Sequence, residues 1–412
     1  MQQQNLLLVS GIVLTAVGAI LMAEAVFGGG GGGRDGLATE DVQTTVAGVT
    51  APPAGTSSPS TDPPTTDPPV APRSFTLAAT GDLLAQDAVN ERAATNASIW
   101  GGDYDFGPMF DPVRSLIEGA DLALCHLETP LARPGADVLA GDVFNAPHEL
   151  AVAIESAGYD GCSTASNRAF DMGADGVAAT LDELDFRSIG HAGTARSAEE
   201  AKTVTRYEAA GVPVAHLAYT YDVNEAVPEP YLVNLIDSAA IAADARAARA
   251  GGAQVVIVSV HWGENFTRDP TAAQQQVAAE LAEVPEIDLV VGHHAHVVQP
   301  VARIGDLPVA FGLGNFLSDQ HEATCCPDES QDGVILHVRF VETGPATGEF
   351  TASEFTYTPT RIDRSTHTIT ALDAALADPA LDDDVRTEYE ESRARTDAAL
   401  NLLGPMATPR TP

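Results

Sequence analysis

The stretch LVVGHHAHVVQP, Leu289 to Pro300, sets His293, His294 and His296 side by side between two apolar runs. Imidazoles bunched at the end of an apolar run are of the right type to hold a transition-metal ion. Other polar residues stand where further apolar runs stop. Asp82 follows SFTLAATG, His126 and Glu128 fall in CHLETPL, and Asn167 falls in STASNRAFD. His261 and Glu264 close VSVHWGEN, and Asn315 lies in GLGNFLSDQ. Asp82, Glu128, Asn167, His261, His294 and His296 together offer carboxylate, amide oxygen and imidazole. That mixture suits Mn, Fe or Zn better than Ca or Mg, which prefer oxygen alone. A pair of ions needs about six such ligands, one a bridging carboxylate; it would clamp the attacking and leaving oxygens and generate hydroxide at neutral pH.

Each residue taken singly has a plainer reading. Gly81-Asp82 can be a turn, Glu128 a solvated acid, Asn167 a helix cap and Asn315 a turn residue. Their shared placement carries the argument. In open α/β sheets ligands bind at the carboxyl ends of strands, where the scaffold is rigid enough to fix a side chain.

The elements that position them alternate. SFTLAATGD, ADLALCHLE, YDGCSTASN, VPVAHLAYT, AQVVIVSVHWG, IDLVVGHHAH and LPVAFGLGNF read as strands. APHELAVAIESAG, GADGVAATLDELD, SAEEAKTVTRYEAAG and SAAIAADARAARAGGA read as helices. Such alternation predicts an α/β layered fold with buried strands. GVILHVRFVE and TASEFTYTPTRI read as closing antiparallel strands, and residues 371–402 as one or two acidic helices.

Ahead of this body, over residues 73–370, the chain is of another kind. After a short tail, residues 1–4, the run 5–27 has no charge before Glu24 and is long enough to span a hydrocarbon core of about 30 Å. It is expected to be an uncleaved transmembrane anchor rather than a cleaved signal, although Ala23-Glu24-Ala25 resembles a cleavage site. Residues 28–72 hold six consecutive glycines, Gly28 to Gly33, and then a Thr/Pro/Ser-rich tract, which reads as a disordered spacer. Residues 371–412 form a separate acidic C-terminal segment and tail. The spacer and the sequons at Asn96 and Asn265 favour a body displayed outside the cell.

The 412 residues carry 58 acidic against 21 basic side chains, a net charge of −37, with Lys202 the sole lysine. Such acidity argues against a nucleic-acid partner. It fits the solvated surface of a halophilic, salt-adapted protein. Cys125, Cys162, Cys325 and Cys326 form no CxxC pair, so a zinc knuckle is unsupported; a bond between the adjacent Cys325 and Cys326 would be strained.

In this order TGD, HLE, ASNRAFDMGADG, SVHWGEN, VGHHAHVVQP and GLGNF resemble the CapA-like family of capsule-synthesis proteins, linked to poly-gamma-glutamate biosynthesis. That family is itself similar to the calcineurin-like metallophosphoesterases. The resemblance covers roughly residues 74–320 and implies a four-layer α/β/β/α sandwich with a metal site along one rim. It makes Asp82 the first-strand aspartate, Glu128 the bridging carboxylate, Asn167 the asparagine of an Asn-His motif and His261 the isolated histidine. His294 and His296 restore an H-x-H pair, and His293 is an extra histidine, a candidate for the catalytic set.

Two departures bear on catalysis. Arg168 stands where the family usually has a histidine; it can bind an oxyanion but cannot give up a proton near neutral pH. HLE replaces the commoner NLE, so His126 is a candidate ligand, supporting group or substitute acid. The expected protein is a membrane-anchored, metal-dependent hydrolase that makes, attaches or releases a surface polymer. Its substrate would be an anionic polymer or a phosphorylated small molecule, its cofactor two divalent ions, its neighbours membrane synthase subunits. The rival reading is a non-catalytic accessory subunit that binds polymer or metal for a synthase; a purely structural surface protein is the poorest reading.

Overall fold

The structure, a computed structural model, describes residues 71–410. The expected anchor and nearly all of the spacer lie outside the described residues. Among the described residues no helix is long and apolar enough to cross a membrane.

The chain builds one sheet, leaves it for a second, and returns. The first pass lays down β1 (Ser74–Leu83), β2 (Leu122–Leu127), a small hairpin of β3 (Leu139–Ala140) and β4 (Phe144–Asn145), then β5 (Gly161–Ser163) and β6 (Gly190–Ala192). Interleaved are α1 (Asp87–Ala97), α2 (Gly107–Phe110), α3 (Arg114–Glu118), α4 (Glu149–Ser156) and α5 (Gly173–Phe186). The middle of the chain forms β7 (Thr205–Ala209), β8 (Val212–Thr220), β9 (Val255–His261), β10 (Leu289–His293), β11 (Val301–Ile304) and β12 (Leu307–Ala310), with α6 (Ser238–Ala250) and α7 (Ala272–Ala282). The return adds β13 (Asn315–Leu317), β14 (Asp332–Glu342), β15 (Phe350–Ile362), β16 (Ile369–Ala371), α8 (Leu372–Leu376), α9 (Asp383–Leu400) and β17 (Thr408–Pro409).

The larger sheet runs β16-β15-β14-β1-β2-β5-β6, with β13 also on β1 and β17 on β15; the smaller runs β11-β12-β10-β9-β8-β7. Strand periodicity explains how they stack. Along β1, Phe75, Leu77 and Ala79 point one way and join Leu124, Leu336, Ile257, Leu289 and Val291 in a core between the two sheets. The opposite face, with Ala78, Ala123, Cys125 and Leu127, packs against Val89, Met109, Ile154 and Leu181 of the first group of helices. On the far side Val256, Val258 and Val290 pack against Ile241 of α6 and Leu281 of α7. Helices, sheet, sheet, helices: the layers are α/β/β/α. Strands β1, β2, β5, β8, β9 and β10 are buried on both faces, which is why they read as continuous apolar runs.

Two expectations are corrected. The composition of residues 197–211 predicts a helix, but they hold a short 3-10 turn, Glu200–Lys202, and then β7, antiparallel to β8. The alternation of Thr205-Arg206-Tyr207-Glu208 suits an edge strand, and Ala210 and Gly211, at φ 48° and 77°, make the hairpin turn. LPVAFGLGNF, expected as one strand, is two: β12 pairs β10 in the smaller sheet, whereas β13 pairs β1 in the larger. Asn315 therefore opens a strand instead of ending one. Both cysteine pairs are joined, Cys125 to Cys162 across neighbouring strands and Cys325 to Cys326.

Candidate metal centre

Parallel strands in register deliver their C-terminal residues to one line. Asp82 pairs with His126 across β1 and β2, and His126 with Ser163 across β2 and β5. In the smaller sheet His293 pairs with His261 across β10 and β9, and His261 with Thr220 across β9 and β8. The two lines face each other across the rim of the sandwich.

Local backbone chemistry brings them close. A Cβ on Gly81 would lie 2.0 Å from the Gly314 carbonyl oxygen, and one on Gly292 would lie 1.9 Å from that of Phe311. Only glycine allows those approaches, and each glycine immediately precedes a site residue. Past β10 the chain turns sharply, with His294 at φ 89° and His296 at φ 55°. Left-handed backbone at two non-glycine residues in one turn is strain of the kind concentrated at functional sites. Phe266, at φ 59°, adds a third such residue beside His296, their rings 6.1 Å apart.

Two ligand-like groups result. Asp82, Glu128 and His296 present atoms within 4.8 Å of one another, as do Asp82, His126 and His293. Beside them His261 Nε2 lies 2.9 Å from Asn167 Oδ1, and the His261 and His294 rings are 4.6 Å apart. All six expected ligands are thus gathered on the rim. Asn167 is set by its own turn: the Ser166 hydroxyl donates to the Glu128 carbonyl oxygen at 2.6 Å and accepts from the Arg168 N–H at 3.1 Å.

Burial pushes the Asp82 carboxyl up, but His293 and His296 outweigh it and hold it well below the usual carboxylate range. Burial lifts Glu128 to about 7, against the pull of His296. His296 rises to about 9 despite its burial, because Glu128 and Asp82 face it. Burial and neighbouring imidazoles keep His126 and His261 well below the ordinary value, and lower His294 to about 4. A proton on His296 thus sits between two carboxylates, where a cation would be favoured. Among the described residues, buried Glu128 Oε2 and His294 Nδ1 have no hydrogen-bond partner, and Asp82 Oδ1 and His293 Nδ1 face only each other, 3.3 Å apart. Polar atoms left so at a native site point to a missing ligand, and carboxylate plus imidazole fits a divalent transition metal.

The remaining candidates take distinct places. His126 is fully buried, with Nδ1 2.7 Å from Ser163 Oγ and Nε2 2.9 Å from His261 Nδ1. Its ring stacks on His293, centroids 4.1 Å apart. Arg168 lies at the mouth: its Nη1 donates to the Asp142 carbonyl oxygen at 2.7 Å and reaches Asp171 at 3.3 Å, and its guanidinium covers Phe144 at 4.7 Å. Its charge is felt at Glu128 and Tyr221. Asn315 Oδ1 accepts from His296 Nδ1 at 2.9 Å. Glu264 is exposed and stands apart from both ligand groups. Sequence reasoning missed Ser163 and Tyr221, whose ring lies 4.8 Å from that of His294. Both sit at strand ends, so the rule that found His261 would have found them had it extended to hydroxyl side chains.

Two stacked sheets between helical layers, with carboxylates and imidazoles converging on one rim, define a four-layer α/β domain with a candidate metal centre. Residues 76–320 match the model of the bacterial capsule synthesis protein PGA_cap family, more than half of the chain, and the chain belongs to that family. It is 30% identical over 173 residues to the PGA biosynthesis protein CapA of Bacillus subtilis, a match covering 38% of this chain and 42% of that protein. It is 26% identical over 183 residues to the capsule biosynthesis protein CapA of Bacillus anthracis, covering 43% and 44%. The chain thus matches less than half the length of these relatives. Among solved structures it is similar to the calcineurin-like phosphoesterase YfkN of Bacillus subtilis, at 12% identity and a TM-score of 0.43, over 80% of this chain and 98% of that one. It is also similar to the NAD nucleotidase of Haemophilus influenzae, at 13% identity and a TM-score of 0.39, over 79% and 61%.

Proposed function

We propose that this protein is a metal-dependent hydrolase of surface-polymer biosynthesis, acting on a phosphorylated or otherwise activated group during assembly, attachment or release of an anionic polymer of the poly-gamma-glutamate type. The observation that carries the proposal is the convergence of Asp82, Glu128, Asn167, His261, His294 and His296 on one rim, with orphaned ligand atoms among them. Two divalent ions there, Mn, Fe or Zn, would supply Lewis acidity and a nucleophile at neutral pH. Asp82 and His296 would hold one ion, Asn167, His261 and His294 the other, with Glu128 between them. Arg168 would orient the oxyanion of the substrate through its fixed charge. The proposal extends to location: residues 5–27 anchor the chain, residues 28–72 space it from the membrane, and the acidic body works outside, where salt screens its repulsion from an anionic polymer.

A second reading rests on one residue. With Arg168 where the family usually offers an acid, the same pocket would bind polymer or metal for a membrane synthase without turnover. Hydrolysis of a generic phosphodiester after Mn or Zn loading separates the two. The enzyme reading expects turnover that His261→Ala abolishes; metal uptake with no turnover would leave the accessory reading standing.

A further inference from the structure

Beside the metal centre lies a recess of about 410 Å³ that the ligand set does not use. Tyr221 is the wall the two share. Its backbone N–H donates to the His261 carbonyl oxygen at 2.9 Å, its ring stands 4.8 Å from that of His294, and it is 47% exposed. Beyond it Ile236, Trp262 and Val277 give the recess an apolar lining, and the start of α7 at Thr271 closes one side. A helix start offers N–H donors to an oxygen on a bound group. Among the described residues the sole ionic side chain in the lining is that of Glu264, and no Lys or Arg lines it.

Resting on the hydrolase reading, we infer that this recess receives the part of the substrate that leaves, and that this part is an uncharged, largely apolar alcohol-derived group, not another carboxylate-bearing unit. Hydrolysis consumes one water: its oxygen bonds to phosphorus, the bond from phosphorus to the alcohol oxygen breaks, and that oxygen keeps the electron pair and takes up a proton. The phosphoryl group faces the imidazoles and Arg168, so a group bonded to it on the Tyr221 side enters the recess. Apolar walls favour burying a flat or aliphatic body. Glu264 disfavours a second negative charge there. An anionic polymer would therefore lie on the side of Arg168, and the recess would take the neutral partner from which the polymer or its precursor is released.

The test uses the full chain loaded with Mn at low ionic strength and two diesters, methyl phenyl phosphate and methyl 4-carboxyphenyl phosphate. Wild type should prefer the phenyl ester, and Glu264→Lys should shrink that preference about tenfold, the scale of reversing one exposed charge at short range. Tyr221→Ala should raise KM for the phenyl ester with metal content unchanged. An unaltered preference in Glu264→Lys overturns the inference. A second arm needs no turnover. The chain has two tryptophans, so Trp100→Phe leaves Trp262, which lines the recess, as the only reporter. Phenol should change its fluorescence saturably, more tightly than benzoate, and less so after Tyr221→Ala. Equal responses to phenol and benzoate, or none, overturn the subsite. A preference for phenol without any diesterase activity upholds the subsite and removes the hydrolase reading.

Discussion

His126 Nε2 lies 2.9 Å from His261 Nδ1, and the other nitrogen of His126 lies 2.7 Å from Ser163 Oγ. The chain His261, His126, Ser163 runs from the rim into the larger sheet. It ties the two sheets together at the site, since His261 belongs to β9 and His126 to β2. A metal-bound imidazole needs a partner for its other nitrogen to fix its tautomer and angle. For His261 in its proposed role as a metal ligand, His126 would supply that partner, in the position where the resemblance implies asparagine.

His126 should therefore govern metal retention more than proton transfer. His126→Ala is expected to weaken metal binding by about 10- to 100-fold, the usual effect of losing such a partner. His126→Asn, which keeps a hydrogen-bonding group, should recover part of it. Calorimetric metal titration of the three proteins checks this. Lost turnover with undiminished metal affinity in His126→Ala would instead mark His126 as the acid.

Arg168 makes a different prediction, because its guanidinium lies over Phe144 and beside Asp171 at the mouth. Arg168→Ala should leave metal content unchanged and lower kcat/KM for an anionic phosphodiester by about ten- to a hundredfold, the loss of one strong charge-assisted contact of about 1.5–3 kcal/mol. Arg168→Lys should recover less than half of it in log units, since an ammonium cannot reproduce the planar fork. Steady-state kinetics with parallel metal analysis reads both.

The convergence of the rim residues was legible because strand ends declare themselves. Gly81-Asp82 and Gly292-His293 put a residue without a Cβ before a ligand-type residue at the end of an apolar run. What stayed hidden depended on tertiary pairing. Nothing in LPVAFGLGNF says that its two halves belong to different sheets; that follows from the close packing of Gly314 on Gly81. SAEEAKTVTRYEAAG has helix-forming composition, and the free edge of β8 overrides it. Tyr221 carries no ligand atom of a typical metal site, so its role depended on seeing its ring against His294.

Away from the rim, Arg361 is buried to 1% exposure and reaches Asp332 at 2.6 Å, Asp328 at 2.8 Å and Glu388 at 2.7 Å. Ser392 donates to Asp332 as well, so the cluster fastens α9 to β14 and β15. Arg361→Ala should cost about 3–5 kcal/mol, because it strands buried Asp332 with less compensation. Arg395, 3.0 Å from Asp332, keeps the loss toward the lower end. Urea unfolding with unchanged metal uptake per folded molecule checks it.

Acid should loosen the fold through histidines outside the candidate metal centre. Burial lowers His216 to about 3; burial and then Arg410 lower His337 to about 3 as well. Each stays neutral in the fold but takes a proton near its ordinary value of 6.5 once unfolded. The unfolded chain thus binds more protons between pH 6.5 and 3, and stability falls as pH falls through that window. Asp288 works the other way: burial, against Arg249, raises it from 3.8 to about 6, so across that range the folded chain holds the extra proton. Two groups oppose one, leaving about one net proton and a slope of about 1.4 kcal/mol per pH unit from these three. The melting temperature of metal-loaded protein should fall from pH 6.5 toward 4.5. His216→Gln should flatten the fall, whatever it costs at pH 7, by removing a group that titrates only in the unfolded chain. A curve as steep in His216→Gln as in wild type would remove His216 from the account.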